Sequence, residues 1–209
     1  MFFYIVALGF WYSREKIVNI DKYPEYKYYL YGLYVKIIGS ILFVLIYFYY
    51  YGNGDTVSFY YSSVALANVA RGNFIQYIHA LFADNTYANM NLYYNTSTSY
   101  PYAYVYFDNQ SYFLVKCISI LPIVTFNSFL ISTVILGAIS YAGIWRLYRM
   151  MVGYYPALKG RLAIAVIFFP SEVFWGSGIM KDTFTFSALC WYIYALDKVF
   201  FKKNDKVKG

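Results

Sequence analysis

Residues 168–182 read FFPSEVFWGSGIMKD. The stretch opens on apolar residues of the kind that face lipid. Pro170, Glu172, Lys181 and Asp182 then arrive before the apolar run resumes. Proline has no amide proton and clashes with the preceding turn, so Pro170 kinks or ends a helix at membrane depth. Gly176 and Gly178 permit a tight turn, and Trp175 suits an interface. The stretch is therefore read as the turn of a helical hairpin spanning residues 162–201. Its arms are Leu162 to Trp175 and Thr183 to Phe201, and Asp182 is placed to cap the second arm.

The rest of the chain has the same character. Of 209 residues, 61% are hydrophobic, 25% aromatic and only 13% charged. A soluble domain carries about 25% charged residues, so an ordinary soluble fold is excluded. Leu30 to Tyr51 is apolar apart from Lys36 near its start, and Cys117 to Trp145 holds no charge. A transmembrane helix needs about 20 such residues. The first stretch is one span. The second holds another, Phe126 to Trp145, capped by Thr125 or Asn127. Pro122 separates it from a shorter interfacial or re-entrant segment, Tyr112 to Leu121. Met1 to Tyr12 is apolar but short for a span, and it lacks the basic leader and cleavage site of a signal peptide. The predicted fold is all-α: a polytopic transmembrane bundle of about four to five spans, forming a single integral membrane domain over residues 1–209.

The net charge of +7 is a matter of topology, not nucleic-acid binding. Arg14, Lys16, Lys22, Lys27 and Lys36 precede the first full span. Arg146, Arg149, Lys159 and Arg161 follow the second. Lys198, Lys202, Lys203, Lys206 and Lys208 close the chain. Basic residues stay on the cytoplasmic side. If these three groups are cytoplasmic, every span alternates, and of the 17 Lys and Arg only Arg71, Lys116 and Lys181 fall elsewhere. The expected location is the inner (cytoplasmic) membrane, multi-pass, with basic loops and C-terminus cytoplasmic. Cys117 and Cys190 lie in apolar stretches without partner spacing, which excludes a disulfide or metal framework.

This topology leaves one long noncytoplasmic loop, residues 52–111. Within it, Thr56 to Arg71 and Asn73 to Ala83 are predicted as amphipathic juxtamembrane helices lying along the interface. A tyrosine-rich tract follows, LYYNTSTSYPYAYVYF at residues 92–107. It could present ring faces to sugars, although tyrosine is also a normal interfacial residue.

Asp55 sits in YGNGDT, directly after the first full span. Gly52 and Gly54 let the backbone turn sharply and hold a carboxylate at the membrane surface. Such a group can accept a proton from a sugar hydroxyl or help hold a divalent cation. Aspartate is also a good helix cap, and the two roles are compatible. Glu172 is the costly residue, because ionisable groups near a membrane face a bundle interior or a watery cavity. The free amides at the start of the final helix, with Lys181, form a candidate phosphate or pyrophosphate site. Taken alone, Lys181 reads as a lysine snorkelling to headgroups. Arg71 can pair with a lipid phosphate, from substrate or from bulk membrane. His79, the single histidine, is a poor metal ligand without a second His or a Cys nearby.

GDTVSFY with FPSEVFWGSGIMKD carries a likeness over most of the chain from about Tyr47 onward, and Asp55 just after an early span, followed by the large first loop with its juxtamembrane helices, makes the chain resemble the GT-C glycosyltransferases. These are polytopic enzymes that use polyprenyl-phosphate-linked sugars. More closely, it is similar to Bacteroidetes-type multi-span proteins of cell-envelope polysaccharide loci, a likeness that brings no proven activity. The resemblance implies that Asp55 is the catalytic base of an inverting transfer and that Lys181 contacts the donor phosphate. Arg71, Glu172 and Asp182 complete the expected substrate-binding set. It implies a polyprenyl-phosphate-linked sugar and membrane lipid as partners, with a divalent cation as candidate cofactor. Two departures stand out: the first-loop motif at Asp55 is a single Asp where many members carry a paired acidic motif, and those enzymes have more spans. The chain therefore reads as a fragment, as a truncated gene product, or as half of an assembly with a membrane protein partner. Two other readings remain open: a transporter or flippase component for lipid-linked sugars, and a noncatalytic membrane subunit.

Overall fold

A computed structural model describes residues 2–201, and every described regular element is helical. Two helices are long and apolar enough to cross a membrane, Pro24–Tyr50 and Phe129–Tyr154. At a rise of about 1.5 Å per residue each is about 40 Å long. The bases Lys202, Lys203, Lys206 and Lys208 lie outside the described residues.

The chain divides into two compact units. The first takes its described residues from 2–42, 134–178 and 182–201. It holds α1 (Phe2–Asn19), most of α2 (Lys27–Val44) and most of α9 (Phe129–Tyr154). It also holds α10 (Lys159–Val166), α11 (Pro170–Trp175) and nearly all of α12 (Lys181–Leu196). The second unit, Phe43–Thr133 with Ile179–Lys181, carries α3 (Asp55–Gly72), α4 (Phe74–Phe82), α5 (Tyr87–Tyr93), α6 (Ala103–Tyr106), α7 (Asn109–Ile118) and α8 (Ile120–Val124).

In the first unit, α2 carries apolar residues on both its exposed and its buried face. Tyr31, Tyr34, Ile38 and Leu42, three or four residues apart and so on one face, are exposed. The opposite face buries Leu33 and Ile37, and with them Lys36 and Ser40. A water-soluble helix turns its apolar stripe to the core. Here Lys36 and Ser40 lie inside beside Leu33 and Ile37, while Ile38 and Leu42 stand exposed with Tyr31 and Tyr34. The core is otherwise aromatic: the Tyr29 ring lies 4.7 Å from Trp145 and 5.0 Å from Tyr12, and Trp145 lies 5.2 Å from Tyr26. The Tyr12 and Tyr141 hydroxyls donate to the carbonyls of Ala138 and Tyr29, at 2.8 and 2.9 Å.

The hairpin arm expected over residues 162–175 is not one helix. The chain breaks after Val166 and restarts with Pro170 in the first turn of α11. That position tolerates proline, because its amide would have had no intrahelical acceptor. The second arm starts at Lys181, so Asp182 lies inside its first turn and not in the capping position.

In the second unit, α3 is no surface helix. Val57, Phe59, Tyr60, Leu66 and Val69 are buried, together with Thr56, Ser58, Ser62 and Ser63. Small residues alternate with large ones around the whole helix, so α4, α6, α7 and α8 can all pack on it. The expectation of an interfacial helix over 56–71 is thereby corrected. The expectation for residues 73–83 holds in part. Asn73 caps α4, accepting from the amides of Ile75 and Gln76 at 3.0 and 3.1 Å, and Phe74, Ile75, Ile78 and Phe82 are exposed. Helix α9 begins at Phe129, and the Ile131 amide donates to the Ser128 hydroxyl, which corrects the expected cap at Thr125 or Asn127.

Candidate functional site

The costly carboxylate of the hairpin finds its partner inside the first unit. Lys36 Nζ donates to Glu172 Oε1, to the Gly176 carbonyl at 2.8 Å and to the Glu172 carbonyl at 3.4 Å. The Lys36 side chain is 1% exposed and that of Glu172 is 10%. Both charges left water, and each makes the other tolerable. Lys36 is therefore not the interfacial base that topology counting took it for. Gly176 matters here for its missing side chain. A Cβ would come within 2.6 Å of the Glu172 carbonyl, 2.7 Å of Oε1 and 3.0 Å of Lys36 Nζ. Ser140 Oγ also donates to the Gly176 carbonyl, at 3.3 Å, so two side chains converge on one acceptor.

One oxygen of this centre is unused. Glu172 Oε2 is buried and has no hydrogen-bond partner. Glu172 also lines a cavity of about 500 Å³, shared with Leu147, Phe169, Trp175, Asp182 and Phe186. Of the predicted substrate-binding residues, the structure brings Glu172 and Asp182 onto one cavity.

The others lie elsewhere. Asp55 occupies the first turn of α3 and is exposed, and the capping position belongs to Gly54, whose carbonyl accepts the Ser58 amide at 3.1 Å. Gly52 and Gly54 have φ of 67° and 108°, left-handed values that favour glycine. The Asp55 carboxylate makes no hydrogen bond or ion pair with another described residue, and the α3 dipole favours its charge. Arg71 is at the far end of the same helix. At about 1.5 Å per residue the two lie roughly 24 Å apart, so they cannot serve one phosphate and one base together. Arg71 is committed within the fold instead. It donates to Asn68 Oδ1 at 2.7 Å, the Pro122 carbonyl at 2.8 Å and Asn127 Oδ1 at 3.0 Å. This holds a turn in which Phe126 and Asn127 both have positive φ, at 52° and 58°.

Lys181 pairs with Asp108 at 3.0 Å across a well-exposed contact. Asp108 caps α7 through the Ser111 amide. Its hydrogen bonds from Ser111, and then that from Lys181, hold its carboxyl down at about 2. The tyrosine-rich tract is divided. Tyr94 and Tyr106 are buried against Tyr112, with a Tyr94–Tyr112 hydroxyl contact, while Tyr100, Tyr102 and Tyr104 are exposed. Burial raises the Tyr94 phenol above its usual range. His79 is exposed on α4.

Lys36 and Asp108 were missed as site residues. Lys36 had a readable signal, since a lone lysine in one apolar run and a lone glutamate in another are each costly until paired. Asp108 could have been found as the aspartate opening DNQS, a helix-capping pattern. Among the described residues no group of three or more His, Cys, Asp or Glu gathers to hold a metal. No protein-family model, curated protein or solved structure matches the chain.

Proposed function

We propose that this chain is a multi-pass protein of the inner membrane. Its basic loops face the cytoplasm, and it handles a polyprenyl-phosphate-linked sugar on the noncytoplasmic face in the manner of a glycosyltransferase. The membrane placement is supported by the apolar side chains that α2 exposes, Ile38 and Leu42 among them, and by the two helices of spanning length. The transfer reading rests on one observation. Asp55 presents an exposed carboxylate, uncommitted to other described side chains, at the end of a glycine-bent link. In this reading Asp55 accepts the proton of an acceptor hydroxyl as that oxygen attacks the sugar. Lys181 contacts the donor phosphate, while Arg71 is structural. Asp55→Asn keeps the shape of the side chain and removes the base. It is expected to fold as the parent does and to lose sugar transfer from a polyprenyl-phosphate donor in membranes. Undiminished transfer by that variant would refute the mechanism.

The buried Lys36–Glu172 pair favours a second reading, a transporter or flippase component for lipid-linked sugars, because paired charges at membrane depth are a common feature of transport pathways. Uptake into proteoliposomes that depends on Glu172 would establish it. Uptake unchanged by Glu172→Gln would exclude it.

A further inference from the structure

At the basic end of α9 the first unit holds a second cavity, of about 290 Å³. Its polar and aromatic walls include Glu15, Tyr26, Tyr29, Trp145, Arg146 and Arg149. Arg146 and Arg149 stand three residues apart on α9, on one face of the helix. The Arg146 guanidinium packs 4.0 Å from the Trp191 ring centre and 5.6 Å from that of Tyr194. It is thus held in place while making no hydrogen bond or ion pair with a described residue. Arg149 is partly balanced: Glu25 lies 3.6 Å from its Nε, and it donates to the Tyr26 hydroxyl at 3.1 Å. Across the cavity, Glu15 accepts the Tyr29 hydroxyl at 2.6 Å. The cavity therefore offers a positioned cation on one wall and a carboxylate on another.

A third cavity, of about 330 Å³, continues from it. The two share Trp11, Tyr12 and Ala142, and the third is otherwise lined by Leu8, Ala138, Ile139 and Trp191. Ala138 and Ile139 lie on α9 about two turns from Arg146, toward the apolar centre of the helix. A polar chamber thus opens into an apolar groove along the same helix. This is the profile of a lipid: an anionic head at the basic end of a span and a hydrocarbon chain beside its apolar middle.

We propose that this groove, formed by α1, α9 and α12, binds one anionic lipid whose headgroup carries a phosphate and a hydroxyl. Arg146 is the chief phosphate contact, with Arg149 beside it. Planar guanidinium donors match phosphate oxygens. Glu15 accepts from the headgroup hydroxyl, and the chain lies against Leu8, Ala138 and Ile139. By the positive-inside orientation, this site belongs to the cytoplasmic leaflet and is separate from the transfer chemistry assigned to Asp55. It rests on the membrane placement proposed above and not on that chemistry.

The test is native mass spectrometry of the full chain in mild detergent, with added phosphatidylglycerol or phosphatidylcholine. The parent is expected to retain one phosphatidylglycerol with about fivefold preference, the effect of roughly one basic contact at a membrane surface. Arg146→Gln is expected to abolish the preference. Ile139→Trp, which fills the groove without altering charge, is expected to lower retention of both lipids. Thermal unfolding of each variant checks that it folds. Two results would overturn the proposal: equal retention of the two lipids by the parent, or displacement of phosphatidylglycerol by millimolar inorganic phosphate with Ile139→Trp behaving as the parent. Carbonate extraction of the parent separates the premises. Release from the membrane would sink the placement itself, while firm retention without lipid selection would sink only this site.

Discussion

Replacing Lys36 by methionine tests the buried pair at the heart of the first unit. The change shortens the unbranched side chain by one atom and removes its charge and three donors. From the structure, Glu172 Oε1 loses its partner, the Gly176 carbonyl loses a 2.8 Å contact, and Oε2 is already without one. A carboxylate with a side chain 10% exposed is then left with no counter-charge. Breaking a buried pair from one side costs about 3–5 kcal/mol. For a chain of this size, each kcal/mol moves the unfolding midpoint by roughly 2–4 °C. Lys36→Met is therefore expected to unfold some 6–20 °C below the parent in a thermal scan in detergent. Glu172→Gln is expected to fall less, since its carbonyl still accepts from Lys36. The double variant Lys36→Met/Glu172→Leu should recover most of the loss, because a buried pair replaced by apolar residues is often neutral. A single variant within 2 °C of the parent would refute the reasoning. So would a double variant as unstable as the sum of its parts.

Arg71→Ala is expected to lower stability by about 1–2 kcal/mol, because hydrogen bonds from a charged group to three oxygens are lost. Arg71→Lys should recover less than half, since one ammonium cannot span that geometry, and thermal scans of the two variants decide. The depressed Asp108 carboxyl makes a signed prediction. Its contribution is present above the ordinary carboxylate value, near 3.8, and is lost as pH falls toward about 2. The unfolding midpoint should therefore drop between pH 4 and 2 in the parent and drop less in Asp108→Asn; parallel curves would count against the cap and the Lys181 contact.

Much of the helical layout was legible, because long apolar runs and proline breaks act locally. The long apolar helix after Lys27, the helix break before Pro170 and the glycine turn after that first helix all follow from residue chemistry within a few positions. What could not be read is which face of each segment is buried. The helix at Thr56 carries apolar and small residues on every side. Periodicity alone does not tell an interfacial helix from one enclosed by four neighbours. Among the site residues, the glycine-bent link placing Asp55 was readable, because Gly52 and Gly54 lie next to it. The partners of Arg71, Glu172 and Lys181 lie 51, 136 and 73 residues away, and long-range pairings of that kind leave no local trace. A charge was visible as costly, but its partner was not.

The most direct test of the account is the sidedness of the chain. In a background with Cys117→Ala and Cys190→Ala, single cysteines at Asn53 and Lys159 are reacted with a membrane-impermeant maleimide in intact cells and after permeabilisation. The account predicts that Asn53→Cys labels in intact cells once any outer barrier is opened, whereas Lys159→Cys labels only when the inner membrane is breached. Labelling of both positions from the same side, or release of the protein by alkaline carbonate, would contradict it.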